Sequence, residues 1–407
     1  MNIGWIDFSE RDRRKAIDII HLLQEQGAID ELGIGAVRDG FSNVFFPGSS
    51  TIQTRAKYFF IVPYAIKTCC DNLRYNNLGE ILKALDDLER SCALTMIQPG
   101  KDREGVIGSD VLGKNKDKWV VRRPSSIYWN GIRTLGLLTD KNMSIKECIV
   151  ASVSRRRKDR VSNWMEFGEE NEQDDRDAGH EALTPLWNLP RFPKNWMENL
   201  EVSLSSEEAR WLRGAINGLD GSLYRFVLGL DDRKLAQYTS YDAAFRSLYE
   251  DQKDAVSEDL RRLMQMAVKT DTLIYLCRIL FNRRLSEDRN NKAMNEWSIW
   301  TQEPFLSEIK SLDLDVVFSS LRLQGRERLK SFLEDMRGFI LSGDETSAMG
   351  RLEDWEVELK GEKRSKLKRR NEFKDSEWIG GRHLDYRLLS AVRIIKDIHA
   401  AEGLPHV

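Results

Sequence analysis

Arg122, Arg123, Ser126, Asn130 and Arg133 lie in the stretch VRRPSSIYWNGIRTLGLL, residues 121–138, and are side-chain types that contact nucleic acid. Guanidinium groups hold backbone phosphates, and Asn or Arg reaches base edges from a groove. If Ser125 caps a helix, a step of about 100° per residue puts Ser126, Asn130 and Arg133 along one side. Tyr128, Ile132 and Leu135 then lie along the other. A recognition helix requires that division, an apolar face anchored in a small helical core and a polar face turned outward. Lys118 before the helix adds a third phosphate-binding cation, and Trp119 and Trp129 could pack or stack. The same pattern also suits a helix that plugs a core or docks a protein partner.

A second basic cluster, Lys360, Lys363, Arg364, Lys366, Lys368, Arg369 and Arg370, falls in LKGEKRSKLKRR. Read as a helix, these positions spread around most of the circumference, so some face outward and form a local positive field. Such a field binds phosphates without reading sequence and weakens steeply with salt. A solvated linker helix has the same composition. The patch SRRRKDR at 154–160 is followed by the acidic run EFGEENEQDDRD, a sign change typical of a linker. In STIQTRAKYFF, Gln53, Arg55 and Lys57 are candidates for phosphate or partner contact, while the apolar half of the block reads as core.

Signals for catalysis are thin. GSDVLGKN at 108–115 fits G-x-x-x-x-G-K but has Asn where a Ser or Thr hydroxyl should hold magnesium, and no buried strand precedes it. Glu358 and Lys360 form an E-x-K pair of the kind metal-dependent nucleases use, yet such pairs arise readily in a chain rich in both residues. Neither H-E-x-x-H nor G-x-S-x-G occurs. His21, beside an apolar stripe, has no second His or Cys at ligand spacing, so no metal and no cofactor is expected.

These residues must be positioned by a chain of 407 residues, long enough for two or three domains. The charged content of 31% suits long helices with solvated faces. With 63 Lys and Arg against 65 Asp and Glu, bulk charge does not announce a polyanion binder, so any such surface is local. Five cysteines without C-x-x-C spacing, and a start without a continuous apolar segment, point to a reduced, cytoplasmic, soluble protein with no membrane partner. The longest apolar run, Tyr58 to Ile66, is too short for a bilayer.

Helical periodicity dominates. An amphipathic helix runs from Ser9 to Gly27, another through DELGIGAVRDGFSNVFF, and a third through STIQTRAKYFFIVPYAIKTCCDNL, kinked or ended early by Pro63. Leu78 to Ile97 and SIKECIVASVSRRRK follow. Pro185, Pro190 and Pro193, with Trp187, Phe192 and Trp196, read as an extended strap; helices resume from Ser205 to about Leu341, and LDYRLLSAVRIIKDIHA closes the chain. The expected fold is all-α and multi-domain, with a small winged-helix-like module around 105–150. The segments are 1–100, N-terminal helical; 101–160, helix-turn-helix-like; 161–204, linker and strap; 205–343, central helical; and 344–407, basic and helical.

Several blocks together resemble an uncharacterised family of bacterial proteins. They are GWIDFS (4–9), DELGIGAVRDGF (30–41), FPGSSTIQTRAKYFFIVPY (46–64), RRPSSIYWNGIRTLGL (122–137), LKGEKRSKL, WIGG (378–381) and LDYR (384–387). The pattern has Trp after that Tyr-Arg, where this chain has Leu388. Members look like genes of defence islands that stand beside helicases and phospholipase-D-like nucleases, so the resemblance implies an accessory role against phage. It brings no catalytic residues. The function expected is a DNA-associated subunit held mainly by phosphate contacts. The alternative is an adaptor that scaffolds a helicase or nuclease partner through apolar helices and the strap, and a third reading is a nuclease dependent on Glu358.

Overall fold

The computed structural model describes residues 30–403 except 31, 76, 167–184, 192, 194, 199 and 240–242, and describes the backbone alone for 158–166. The expected helix at 9–27, His21, the GWIDFS block and most of the acidic run lie outside the described residues. Among the described residues the chain forms seventeen α-helices and one 3-10 helix, and its only β pairing is an isolated bridge between Leu138 and Trp187. The protein is all-α, as its periodicity predicts. No described helix is long and apolar enough to cross a membrane.

In chain order the helices are α1 (Gly35–Phe45), α2 (Tyr58–Asp71), α3 (Leu78–Met96), α4 (Ser109–Lys114), α5 (Pro124–Thr134), α6 (Ile145–Glu166), α7 (Ser206–Asn217), α8 (Leu223–Leu228) and α9 (Asp232–Thr239). They continue as α10 (Ala244–Gln252), α11 (Glu258–Leu285), α12 (Asn291–Trp300), α13 (Glu303–Lys310), α14 (Leu314–Ser320), α15 (Glu327–Ser342) and α16 (Glu345–Lys360). The 3-10 helix (Leu367–Glu372) and α17 (Leu388–Ala401) complete the order. Two units divide the chain, one of Met1–Gly40 with Leu263–Leu384, the other of Phe41–Arg262 with Asp385–Val407.

In the second unit, α2 is the buried axis, packed by α3, α5 and α6. The helix runs through Pro63, where the sequence predicts a kink or an early end. The proline removes a ladder bond at a cost of about 3 kcal/mol. Burial of Phe59, Phe60, Ile61 and Val62, all at most 1% exposed, stabilises by about 1.5–3 kcal/mol each and outweighs it. The half of the predicted helix before Tyr58 is not helical. The amides of Thr54 and Arg55 donate instead to the Tyr128 hydroxyl, at 2.7 and 3.0 Å. At the other end of α2, Arg156 of the SRRRKDR patch donates to the carbonyls of Cys70 (2.6 Å), Asn72 (2.8 Å) and Tyr75 (3.2 Å). That arginine serves the unsatisfied acceptors of a helix terminus.

Two N-termini show how local sequence sets helix starts. Ser205 and Glu208 form the reciprocal capping box of α7, and the Asn77 side chain accepts from the Glu80 amide at α3. Before α17, Tyr386 and Arg387 both hold positive φ, a strained backbone for such residues. Burial of Tyr386 among Phe41, Phe45 and Phe245, with ring centroids 5.3, 6.0 and 4.8 Å away, holds it there. Leu388, where the related pattern has tryptophan, is fully buried.

Residues 105–150 contribute α4, α5 and the start of α6, with no β-hairpin to form a wing. Val120 and Val121 have β character but no partner strand, and Val121 is 96% exposed.

In the first unit, α15 and α16 pack together, with the Phe332 and Trp355 rings stacked at 4.7 Å. The Trp355 indole N–H donates to the Leu32 carbonyl at 2.7 Å, which fixes the residues before α1 to this core. The 3-10 helix packs on α16. The cluster at 360–370 is therefore not one continuous helix: α16 stops at Gly361, whose φ of +76° ends the helix geometry, and a loop leads into the 3-10 turn.

Candidate nucleic-acid interface

Helix α5 is fixed at its start by a carboxyl group. Glu89 of α3, 2% exposed, accepts from the Ser125 amide at 2.6 Å and from its hydroxyl at 3.3 Å. Pro124 occupies the first turn, where its missing N–H costs nothing. Ile127, Tyr128, Trp129, Gly131 and Ile132 are buried. Gly131 is required there: a Cβ would stand 2.6 Å from the Gly48 carbonyl oxygen and 2.6 Å from the Phe59 ring. Of the predicted polar row, Ser126 and Asn130 are exposed and Arg133 is half-buried, with its Nε–H buried without an acceptor. Arg123 pairs with Asp86 and lies 5.8 Å over the Trp119 ring, and Arg122 is half-buried. The helix is thus enclosed on most sides, and its polar face narrows to two small side chains.

Burial pushes the Glu89 carboxyl up to about 8, against the opposing Ser125 hydrogen bonds. Asp86 pushes it up further and Arg123 pulls it down. With its folded value above the unfolded one, the group contributes stability that is complete below the ordinary carboxylate range and lost as pH rises through about 8. We expect wild type to lose on the order of 1–4 kcal/mol relative to Glu89→Gln between about pH 6 and pH 9. Denaturant midpoints at the two pH values check this, and a pH-independent difference contradicts it.

Gln53, Arg55 and Lys57 fall on the turn before α2. Gln53 is buried, donating to the Gly48 carbonyl and accepting from the Ser50 amide, both at 3.1 Å. Arg55 pairs with Asp397 at 3.0 Å and Asp102 at 2.9 Å, and donates to the Glu104 carbonyl at 2.8 Å. Lys57 meets Glu208 at 2.7 Å. All three side chains are engaged within the second unit, where they brace the turn.

The loop after α16 is organised differently. Glu356, 1% exposed, receives four hydrogen bonds: from Lys360 Nζ (3.0 Å), Ser365 Oγ (2.7 Å), the Lys366 amide (3.1 Å) and the Leu367 amide (2.9 Å). Although burial acts to raise it, the Leu367 amide, Ser365 and Lys360 outweigh burial and hold this carboxyl below its ordinary value. Lys368 pairs with Glu353 at 2.8 Å, Arg369 with Glu372 at 2.9 Å, and Lys366 lies 5.7 Å over the Phe373 ring. Lys363 and Arg364 are exposed and Arg370 is half-buried, and no carboxylate among the described residues pairs with any of them. The sequence cluster therefore splits into cations that close the loop and cations presented outward by it.

Glu358, the carboxylate of the E-x-K pair, meets Arg328 at 2.6 Å, while Lys360 is bound to Glu356. Among the described residues no three His, Cys, Asp or Glu side chains gather as a metal site. A profile of a family of unknown function, DUF6361, matches residues 1–374. The chain belongs to that family. The DUF6361 match includes the blocks around α2 and α5 and the whole Gly361–Glu372 loop, whereas WIGG and LDYR lie beyond it. No curated protein and no solved structure matches the chain significantly.

Sequence reasoning missed Glu89 and Glu356, the two buried carboxylates that organise α5 and the loop. Each stands among other charged residues on an amphipathic helix, where a carboxylate reads as solvated. For Glu356 the only signal is proximity to a Gly-containing basic loop that needs an anchor.

Proposed function

We propose that the protein is a non-catalytic accessory subunit that holds the phosphate backbone of nucleic acid, DNA in the first instance, through the Gly361–Glu372 loop. One observation carries the reading: a buried carboxylate with four hydrogen bonds fixes a loop from which Lys363 and Arg364 project without carboxylate partners. A fixed loop presents cations at lower entropic cost than a solvated tail, and phosphate contacts need charge and position rather than base readout. Arg122, Arg123 and Arg133, half-buried around α5, are secondary in this reading, as are Ser126 and Asn130. The setting in anti-phage defence rests on the resemblance of the sequence blocks, and plating efficiency of phage on cells with and without the gene tests it.

The adaptor reading has less behind it. Trp187 and Trp196 of the strap engage Trp129 (6.2 Å) and Tyr64 (5.7 Å), and the Trp196 indole donates to Thr68 at 3.1 Å.

A salt titration with duplex DNA, single strands and RNA tests the proposal. Wild type is expected to bind with an affinity that falls as salt rises. Lys363→Glu with Arg364→Glu is expected to lower the slope of log affinity against log salt by roughly one unit per lost contact. Equal slopes for the folded double variant and wild type reject the loop as the contact.

A further inference from the structure

Beyond the 3-10 helix the chain passes through Lys374 to Trp378 and onto one face of α11. Asp271, Tyr275, Arg278 and Asn282 are spaced by four, three and four residues, which aligns them on one side of that helix. Each one grips the segment. The Asn282 amide exchanges two bonds with the Ile379 backbone, at 2.7 and 3.0 Å. Arg278 donates to the Arg382 carbonyl. The Tyr275 hydroxyl accepts from Arg382 at 3.1 Å, and the same guanidinium donates to Glu296 at 2.6 Å. Asp271 meets His383 Nδ1 and the Leu384 amide, both at 2.7 Å.

Trp129, Trp196, Trp297 and Trp355 all give their indole N–H to an oxygen. Trp378 does not: its Nε1–H, like that of Trp119, is buried without an acceptor. Its half-buried ring lies near-parallel to Tyr275 at 6.1 Å, with the Arg382 guanidinium at 5.7 Å and the Lys292 ammonium at 5.8 Å from its centroid. Lys292 is exposed and has no carboxylate partner among the described residues, so its flexible stem can leave the ring and carry its charge to a phosphate.

We infer that Trp378 is a stacking platform for an unpaired base, which makes single-stranded nucleic acid the substrate class of this unit. The inference rests on the phosphate-binding reading above and deepens it. An aromatic ring flanked by cations, here Arg382 and Lys292, is how strands are held without sequence readout, since every base has a π-face. Duplex bases are already stacked and cannot use it.

Fluorescence anisotropy with a labelled oligothymidylate and a duplex of equal length tests this on the full chain. Trp378→Ala is expected to weaken single-strand binding about tenfold while leaving duplex binding and the salt slope unchanged, and Trp378→Phe restores most of the loss. If the alanine variant does not fold, Trp378→Leu fills the space without an aromatic face and takes its place. A folded variant that binds the strand as wild type does overturns the platform, as does equal weakening for strand and duplex. Wild type that binds no nucleic acid overturns the phosphate reading itself. Weakening by Lys363→Glu with Arg364→Glu but not by Trp378→Ala leaves the loop and removes the platform.

Discussion

Replacing Arg55 with alanine lowers stability by about 3–5 kcal/mol. The reason lies in its partner. Asp397 is only 11% exposed at its side chain and accepts from Arg55 at 3.0 Å and from the Ala56 amide at 2.7 Å. Removing the guanidinium strands a buried carboxylate with one amide donor, and desolvation of that charge dominates the loss. The second ion pair, to the 57% exposed Asp102, adds little because water and salt screen it. Arg55→Lys is expected to fall between wild type and the alanine variant, since an ammonium cannot span Asp397, Asp102 and the Glu104 carbonyl together. Denaturant midpoints measure the series, and an alanine loss below about 1 kcal/mol contradicts a structural role.

The second large effect is at Glu356. Glu356→Ala leaves Lys360, Ser365 and the Lys366 and Leu367 amides without their shared acceptor, and is expected to cost about 3 kcal/mol. Its carboxyl is held below the ordinary value in the folded state, so this contribution is present above the unfolded carboxylate value. It is lost as pH falls through the folded value. The same substitution should weaken nucleic-acid binding although Lys363 and Arg364 remain, because the cations lose their fixed positions. Faster hydrogen exchange at the Lys366 and Leu367 amides is the accompanying signature. Unchanged exchange and unchanged affinity contradict the view that this carboxylate organises the loop.

Much of the architecture is legible from residue order. The apolar spacing from Leu78 places α3 to within a residue of its observed end, and Ser205 with Glu208 marks the start of α7. Local chemistry dictates both, through periodicity and capping. The turn at 51–57 is not legible, because its helical alternative is prevented by a hydroxyl from Tyr128, more than seventy residues away. Charge pairing is hidden for the same reason: Arg55 and Asp397 are 342 residues apart, and basic residues in a sequence do not disclose which acids neutralise them. The basic cluster at 360–370 is visible, yet its division into closing and outward cations depends on Glu353 and Glu356 being buried beside it. Reading along the chain also yields contiguous segments, whereas the units interleave residues before Gly40 with residues after Leu263. For α5, helical phase indicates the exposed Ser126 and Asn130, but not that Ile127, Trp129 and Gly131 are enclosed too.

The most direct measurement compares two charge reversals in one salt-titrated binding series on single-stranded DNA. One variant carries Glu at Lys363 and Arg364, the other Glu at Arg122 and Arg123. The loop variant is predicted to lose affinity at low salt and to flatten the salt dependence, while the second changes the slope less. A flattened slope for the Arg122 and Arg123 variant alone, with the loop variant indistinguishable from wild type, contradicts the account.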